Sequence, residues 1–168
     1  MWTTSRKPLA GEFSFRGEPV LVIANHFNSK GGDQSADGRF QFPAQSSAVQ
    51  RAGQAQVVHD FVAKILDVDK KDDVVVLGDL NDYQFSPALS VLRTGTADGS
   101  GTSILTDLIA TLPVDQRYTY VFNGVSQVLD HILVAPGVGG VQYQVVHVNA
   151  EYADQASDHD PQVVRLQP

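Results

Sequence analysis

The chain has no cysteine among its 168 residues, which excludes disulfides and thiolate metal centres and leaves the redox compartment unreadable. No apolar run approaches the ~20 residues of a membrane span. The opening stretch MWTTSRKPLAGEF also lacks the apolar core of a secretory leader. Cations are short: the formal charge is -7, which argues against the broad basic surface of a nonspecific nucleic-acid binder. That shortage is uneven, with six Lys or Arg against four acids in residues 1–51 and six against fifteen in residues 52–168. Glutamate is nearly absent, Glu12, Glu18 and Glu151 being the only three.

What is present suffices for one soluble globular unit. At 42% hydrophobic content, a chain of this length buries roughly two thirds of its unfolded surface. The pattern alternates strands with helices, and no repeat or linker divides it. Phe13 and Phe15 alternate with polar positions, Gly17-Glu18-Pro19 reads as a turn, and residues 20–24 read as a strand. Residues 28–47, rich in Gly, Ser, Gln and Asp, form a long loop of a length usually kept for function. Ser46 or Ser47 caps a helix whose apolar positions Val58, Phe61, Val62, Ile65 and Leu66 recur at helical spacing, with His59 on its wet side. Ser86-Pro87 opens a second helix, and residues 104–112 read as a third. Asn123-Gly124 is a strong hairpin turn between strands at 118–122 and 127–134. Tyr118 and Tyr120 are expected to pack across strands and His147 to be structural.

The polar groups gather where apolar runs end. Residues 74–81, VVVLGDLN, deliver Asp79 and Asn81 onto a loop just past a buried strand, where a carboxylate and an amide two residues apart share one cavity. Such a pair suits a hard divalent cation and a phosphate oxygen beside it. Alone, a Gly-Asp turn is ordinary loop chemistry. Three further clusters accompany it: Asn25-His26-Phe27-Asn28-Ser29-Lys30, Asp130-His131, and Ser157-Asp158-His159-Asp160-Pro161 before the last strand. Gathering metal, base and phosphate-binding groups from several strand ends is how a sheet protein builds an active site.

The ordered set of His26 in NHFNSK, Asp79 and Asn81 in GDLN, Asp130 in LDHI, and Asp158-His159 in SDHDP resembles the endonuclease/exonuclease/phosphatase superfamily of metal-dependent phosphodiesterases. RKPLAGEF, HFNSKGGD, QRAGQAQ and RYTYVFNGVSQVLDHILV are most similar to bacterial extracellular nucleases, and the resemblance covers nearly the whole chain. It implies an α/β fold forming part or most of a four-layer α/β/β/α sandwich of the deoxyribonuclease type. It also implies Mg2+ or Mn2+ as cofactor, with Ca2+ a further candidate. The implied partner is nucleic acid, DNA ahead of RNA, with no membrane, and the implied location is extracellular or periplasmic.

By position, the resemblance makes His159 a general base oriented by Asp130. Asp79 and Asn81 position nucleophile and phosphate, His26 contacts a phosphate oxygen, and Asp158 joins Asp79 at the metal. Asn28, Lys30, Arg39 and Arg51 are the expected substrate contacts. A phosphatase or phospholipid headgroup phosphodiesterase is the variant reading on the same site. One family element is missing, the metal-ligating Glu supplied ahead of the His26 strand. This makes the chain the carboxyl-terminal portion of a larger domain, with a catalytically incomplete fragment as the alternative. Such a portion is expected to expose apolar sheet and to self-associate.

Overall fold

The computed structural model describes residue 2, residues 5–35 and residues 38–167. In chain order the elements are β1 (Leu9–Phe15), β2 (Glu18–His26), α1 (Ser46–Val68), β3 (Asp73–Asp79), α2 (Pro87–Thr94), β4 (Thr106–Asp107), β5 (Tyr120–Phe122), β6 (Val125–Gln127), β7 (Asp130–Val134), β8 (Gly139–Val145) and β9 (Gln162–Gln167). A mixed five-stranded sheet of order β1-β2-β3-β7-β4 forms the centre, with β2 and β3 parallel and the other pairs antiparallel. The parallel pair follows from the long α1 crossover, and the antiparallel β1–β2 pair from the two-residue turn at Arg16-Gly17, where both residues have positive φ.

Strand alternation gives the sheet two apolar faces. Ile23, Val74, Val76 and Leu133 point one way, against Ala55, Val58, Val62 and Leu66 of α1 and Leu89 and Leu92 of α2. Val20, Val75, Ile132 and Val134 point the other way, against Val141, Tyr143, Val164 and Leu166 of the β8–β9 pair. The layers are therefore helices, central sheet and two-stranded sheet, and among the described residues no helix covers the outside of β8–β9. Leu9, Phe13 and Phe15 on edge strand β1 share the second face by register but remain exposed.

Several local expectations change in the folded chain. α1 starts where predicted, yet no serine caps it: the Asp33 carboxylate, from the loop, accepts from the Ser47 amide at 3.0 Å and from its hydroxyl. His59 is buried, not wet, because α2 packs over it and its Nδ1 donates to the Leu92 carbonyl at 3.0 Å. Residues 104–112 hold β4 and one 3-10 turn (Leu108–Thr111), since Thr106 and Asp107 pair with β7 and Asp107 accepts from the Ile109 amide. The hairpin turns at Asn123-Gly124, both at positive φ. The strand expected at 127–134 splits into β6 and β7, because the Leu129 carbonyl leaves the hairpin to accept from Leu80. Ser86 and Pro87 start α2 as expected, the Ser86 hydroxyl accepting from Leu89 at 3.3 Å.

Candidate active site

Register alone places three of the predicted residues side by side. His26 of β2 is opposite Asp79 of β3, and Asp79 is opposite Asp130 of β7. Side chains opposite each other share a face, so one rung presents imidazole, carboxylate and carboxylate together. The same alternation sends His131 to the other face. It is fully buried there, its Nδ1 2.8 Å from Asp107 Oδ2 and its Nε2 2.9 Å from the Asp82 carbonyl. The adjacent residues Asp130 and His131 thus belong to different networks.

Gly78 lets the rung form. At φ 127° a β-carbon there would lie 2.0 Å from the Asn25 carbonyl oxygen, so only glycine allows β2 and β3 to approach at the rung. Asn81, at φ 51°, then folds the chain back. Its backbone amide donates to Asp79 Oδ1 at 2.8 Å, and its side-chain amide donates to Asp79 Oδ2 at 3.2 Å and to the Phe27 carbonyl at 3.1 Å. Asn81 therefore holds Asp79 in place. His26 Nε2 lies 3.6 Å from Asp79 Oδ2.

His159 enters from the segment before β9. Its Nδ1 is 2.6 Å from Asp130 Oδ2, and its ring rests on Tyr120 with centroids 4.9 Å apart. Thr119, which sequence reasoning passed over, joins the two partners. Its hydroxyl accepts from the Leu129 and Asp130 amides at 3.2 Å each, and its carbonyl accepts from the Asp160 amide at 2.8 Å. Asp160 in turn accepts from the amides of Val148, Asn149 and Ala150 and from His147, and the Asn149 side chain donates to the His159 carbonyl. The Asp before Pro161 was visible in the sequence; the loop it gathers was not.

The electrostatics agree with the geometry. The bond to Asp130 raises the His159 pKa, against burial, and the charges of Asp130, Asp79 and Asp158 add to the rise. Burial raises the Asp79 carboxyl, against the Asn81 amide, and repulsion from Asp130 raises it further. Ligand atoms of Asp79, Asp130 and His159 lie within 4.8 Å of one another. Two crowded carboxylates, one of them unfavourably buried as an anion, are a donor set that fits a hard divalent cation retaining water and substrate ligands. Asp158 is exposed and lies outside this cluster, although its charge still acts on its neighbour His159.

The expected substrate contacts separate into two kinds. Lys30 lies over the Tyr83 ring, and Arg39 is exposed beside Phe40. Asn28 donates from its amide to Gln54 and from its side chain to the Ser29 carbonyl. Arg51, expected as a substrate contact, is buried, with Nε 2.8 Å from Asp82 Oδ2 and Nη1 donating to the Ser47 hydroxyl and the Asn28 carbonyl. It faces inward because its helix packs against the loop after β3, and the signal for its partner was the carboxylate directly after Asn81.

Residues 5–159 match the Endonuclease/Exonuclease/phosphatase family. The chain belongs to that family. A search of curated proteins found no significant sequence match. Solved structures with the same fold include truncated Caenorhabditis elegans TDP2, with TM-score 0.65, 14% identity and 95% of this chain aligned to 58% of that one. They also include Staphylococcus aureus beta toxin with bound magnesium ions, at 0.56, 21%, 91% and 55%. A Bacteroides thetaiotaomicron mannosyl-6-phosphatase aligns at 0.56, 21%, 90% and 52%. This chain thus spans little more than half the length of each. Members of the family hydrolyse phosphate esters, and the chain carries its mixed α/β fold around a central sheet.

Proposed function

We propose that the chain is a divalent-metal-dependent phosphodiesterase acting on nucleic acid, with His159 as general base. The observation that carries this reading is the 2.6 Å contact between His159 Nδ1 and Asp130 Oδ2, beside Asp79 on the same rung. With Nδ1–H donated to the carboxylate, Nε2 is left as the acceptor. It takes a proton from water as the oxygen attacks phosphorus and the P–O bond to the leaving sugar oxygen breaks, that oxygen taking a proton from solvent, and Asp130 stabilises the imidazolium that results. Asp79 and Asp130 would hold a divalent metal, which when bound would supply Lewis-acid stabilisation of negative charge on phosphate oxygen. Asn81 keeps Asp79 oriented, and His26 is placed to contact a phosphate oxygen from the opposite side of Asp79. The magnesium in the beta toxin structure and the closely placed carboxylates of Asp79 and Asp130 support the metal assignment.

The test is nicking of supercoiled plasmid DNA with Mg2+ or Mn2+, alongside EDTA and His159→Ala controls. Metal-dependent nicking is expected, with His159→Ala lower by at least ~100-fold and an unchanged unfolding midpoint. Undiminished nicking by His159→Ala would sink the mechanism.

A further inference from the structure

A second cleft lies beside the catalytic rung. It holds about 490 Å3 and is lined by Lys30 and Asp33 of the long loop, Arg51 of α1, and Asp82, Tyr83 and Phe85 after β3. That volume is in the range of small-molecule sites. Most of its charge is already paired within the protein, Arg51 with Asp82 and Asp33 with Ser47. Lys30 is different: its Nζ is buried, makes no hydrogen bond among the described residues, and lies 3.8 Å from the centre of the Tyr83 ring. An ammonium offers three donors, and buried polar groups in native proteins are almost always paired. An ammonium that meets the face of a ring and makes no hydrogen bond among the described residues, at the wall of a cleft, is suited to an acceptor brought in from outside.

The aromatic part of the cleft indicates what accompanies that acceptor. Tyr83 and Phe85 stack with centroids 5.3 Å apart and planes 26° from parallel, and Phe85 is 76% exposed. An aromatic face this open, supported from behind by a second ring, is a platform for another flat ring. It is tied to the β5–β6 hairpin that packs on His159, since the Tyr83 hydroxyl reaches Gln127 at 3.4 Å and Gln127 pairs with Tyr120, which touches His159. Lys30 itself is within electrostatic range of Asp79.

We infer that this cleft is a nucleotide subsite flanking the scissile phosphate, where Phe85 stacks an unpaired nucleobase and Lys30 takes a backbone phosphate. A planar base and a second phosphate next to the scissile one occur together in an oligonucleotide and not in a simple phosphomonoester or a lipid headgroup. The base must be unstacked to reach the ring, so the strand is single at that point. This inference rests on the phosphodiesterase reading and narrows its substrate.

Fluorescence anisotropy in EDTA, where no hydrolysis occurs, tests it with a short single-stranded oligodeoxynucleotide and a fully abasic strand of the same length. Wild type is expected to prefer the natural strand by about tenfold, the order of one base stacked on an aromatic ring. Phe85→Ala should bind both strands alike, Lys30→Gln should weaken both equally, and Phe15→Ala, on distant β1, should behave as wild type. A Phe85→Ala protein that keeps the preference for bases, or a wild type that binds neither strand, overturns the subsite. Hydrolysis of bis(p-nitrophenyl) phosphate with Mg2+, run in parallel, separates the two readings. Turnover of this small diester without strand binding removes the subsite and keeps the phosphodiesterase, and the predicted binding pattern without turnover does the reverse.

Discussion

His159 has one ring nitrogen committed to a carboxylate, and that partner sets how readily the other accepts a proton. The Asp130 bond raises the His159 pKa above its ordinary 6.5, so the neutral, competent base appears only above that raised value. Asp130→Asn removes the charge, and the acid limb of the rate–pH profile is expected to move to lower pH while turnover falls roughly 100-fold. His131 has the opposite design. Both its partners, the Asp107 carboxylate and the Asp82 carbonyl, can only accept, so the ring must carry two protons. Burial opposes this, but the charge and bond of Asp107 outweigh it and the pKa is raised. A folded pKa above the unfolded value stabilises fully below the unfolded value and is lost as pH rises through the folded one. The thermal midpoint is therefore expected to be higher at about pH 6 than at about pH 9, and His131→Gln should flatten that difference. The rung residues were legible because each stands at the end of an apolar strand. Asp107 and Thr119 were not, nor was the loop that Asp160 gathers, because their bonds depend on which loop crosses which, and no spacing in the sequence encodes that.

At the scale of elements, the site depends on how closely β2 and β3 approach. Gly78→Ala would drive a methyl into the Asn25 carbonyl in a backbone region that side chains avoid. A loss of about 3 kcal/mol or more in urea unfolding is expected, since clash and positive-φ strain add. α2 was readable because Ser86 and Pro87 are local signals that act within one turn of the chain. The residues after Ile104 were misread as helix because their apolar spacing is shared by a short strand leading into a 3-10 turn. Tertiary pairing with β7 decided between the two, and so did the packing of α2 that buried His59.

At the scale of the whole molecule, the two sheets are unequal. β8 and β9 cover the middle of the central sheet, while Leu9, Phe13 and Phe15 stay 73%, 62% and 57% exposed along its β1 edge. An apolar edge strand with unpaired amides invites a second strand. Sedimentation velocity is expected to show mass rising with concentration, and Phe13→Lys combined with Phe15→Lys should keep the protein monomeric. The alternation at Phe13 and Phe15 marked β1 as a strand, whereas its place at the edge, and the division of Lys and Arg between contact and scaffold, were hidden until the chain was folded. Arg51 shows what that division entails. Its guanidinium is held by the Ser47 hydroxyl, the Asp82 carboxylate and the backbone of Asn28, and a lysine cannot reproduce that fork. Positions 47, 51 and 82 are therefore tied in descent: across an alignment of relatives they should change as a set.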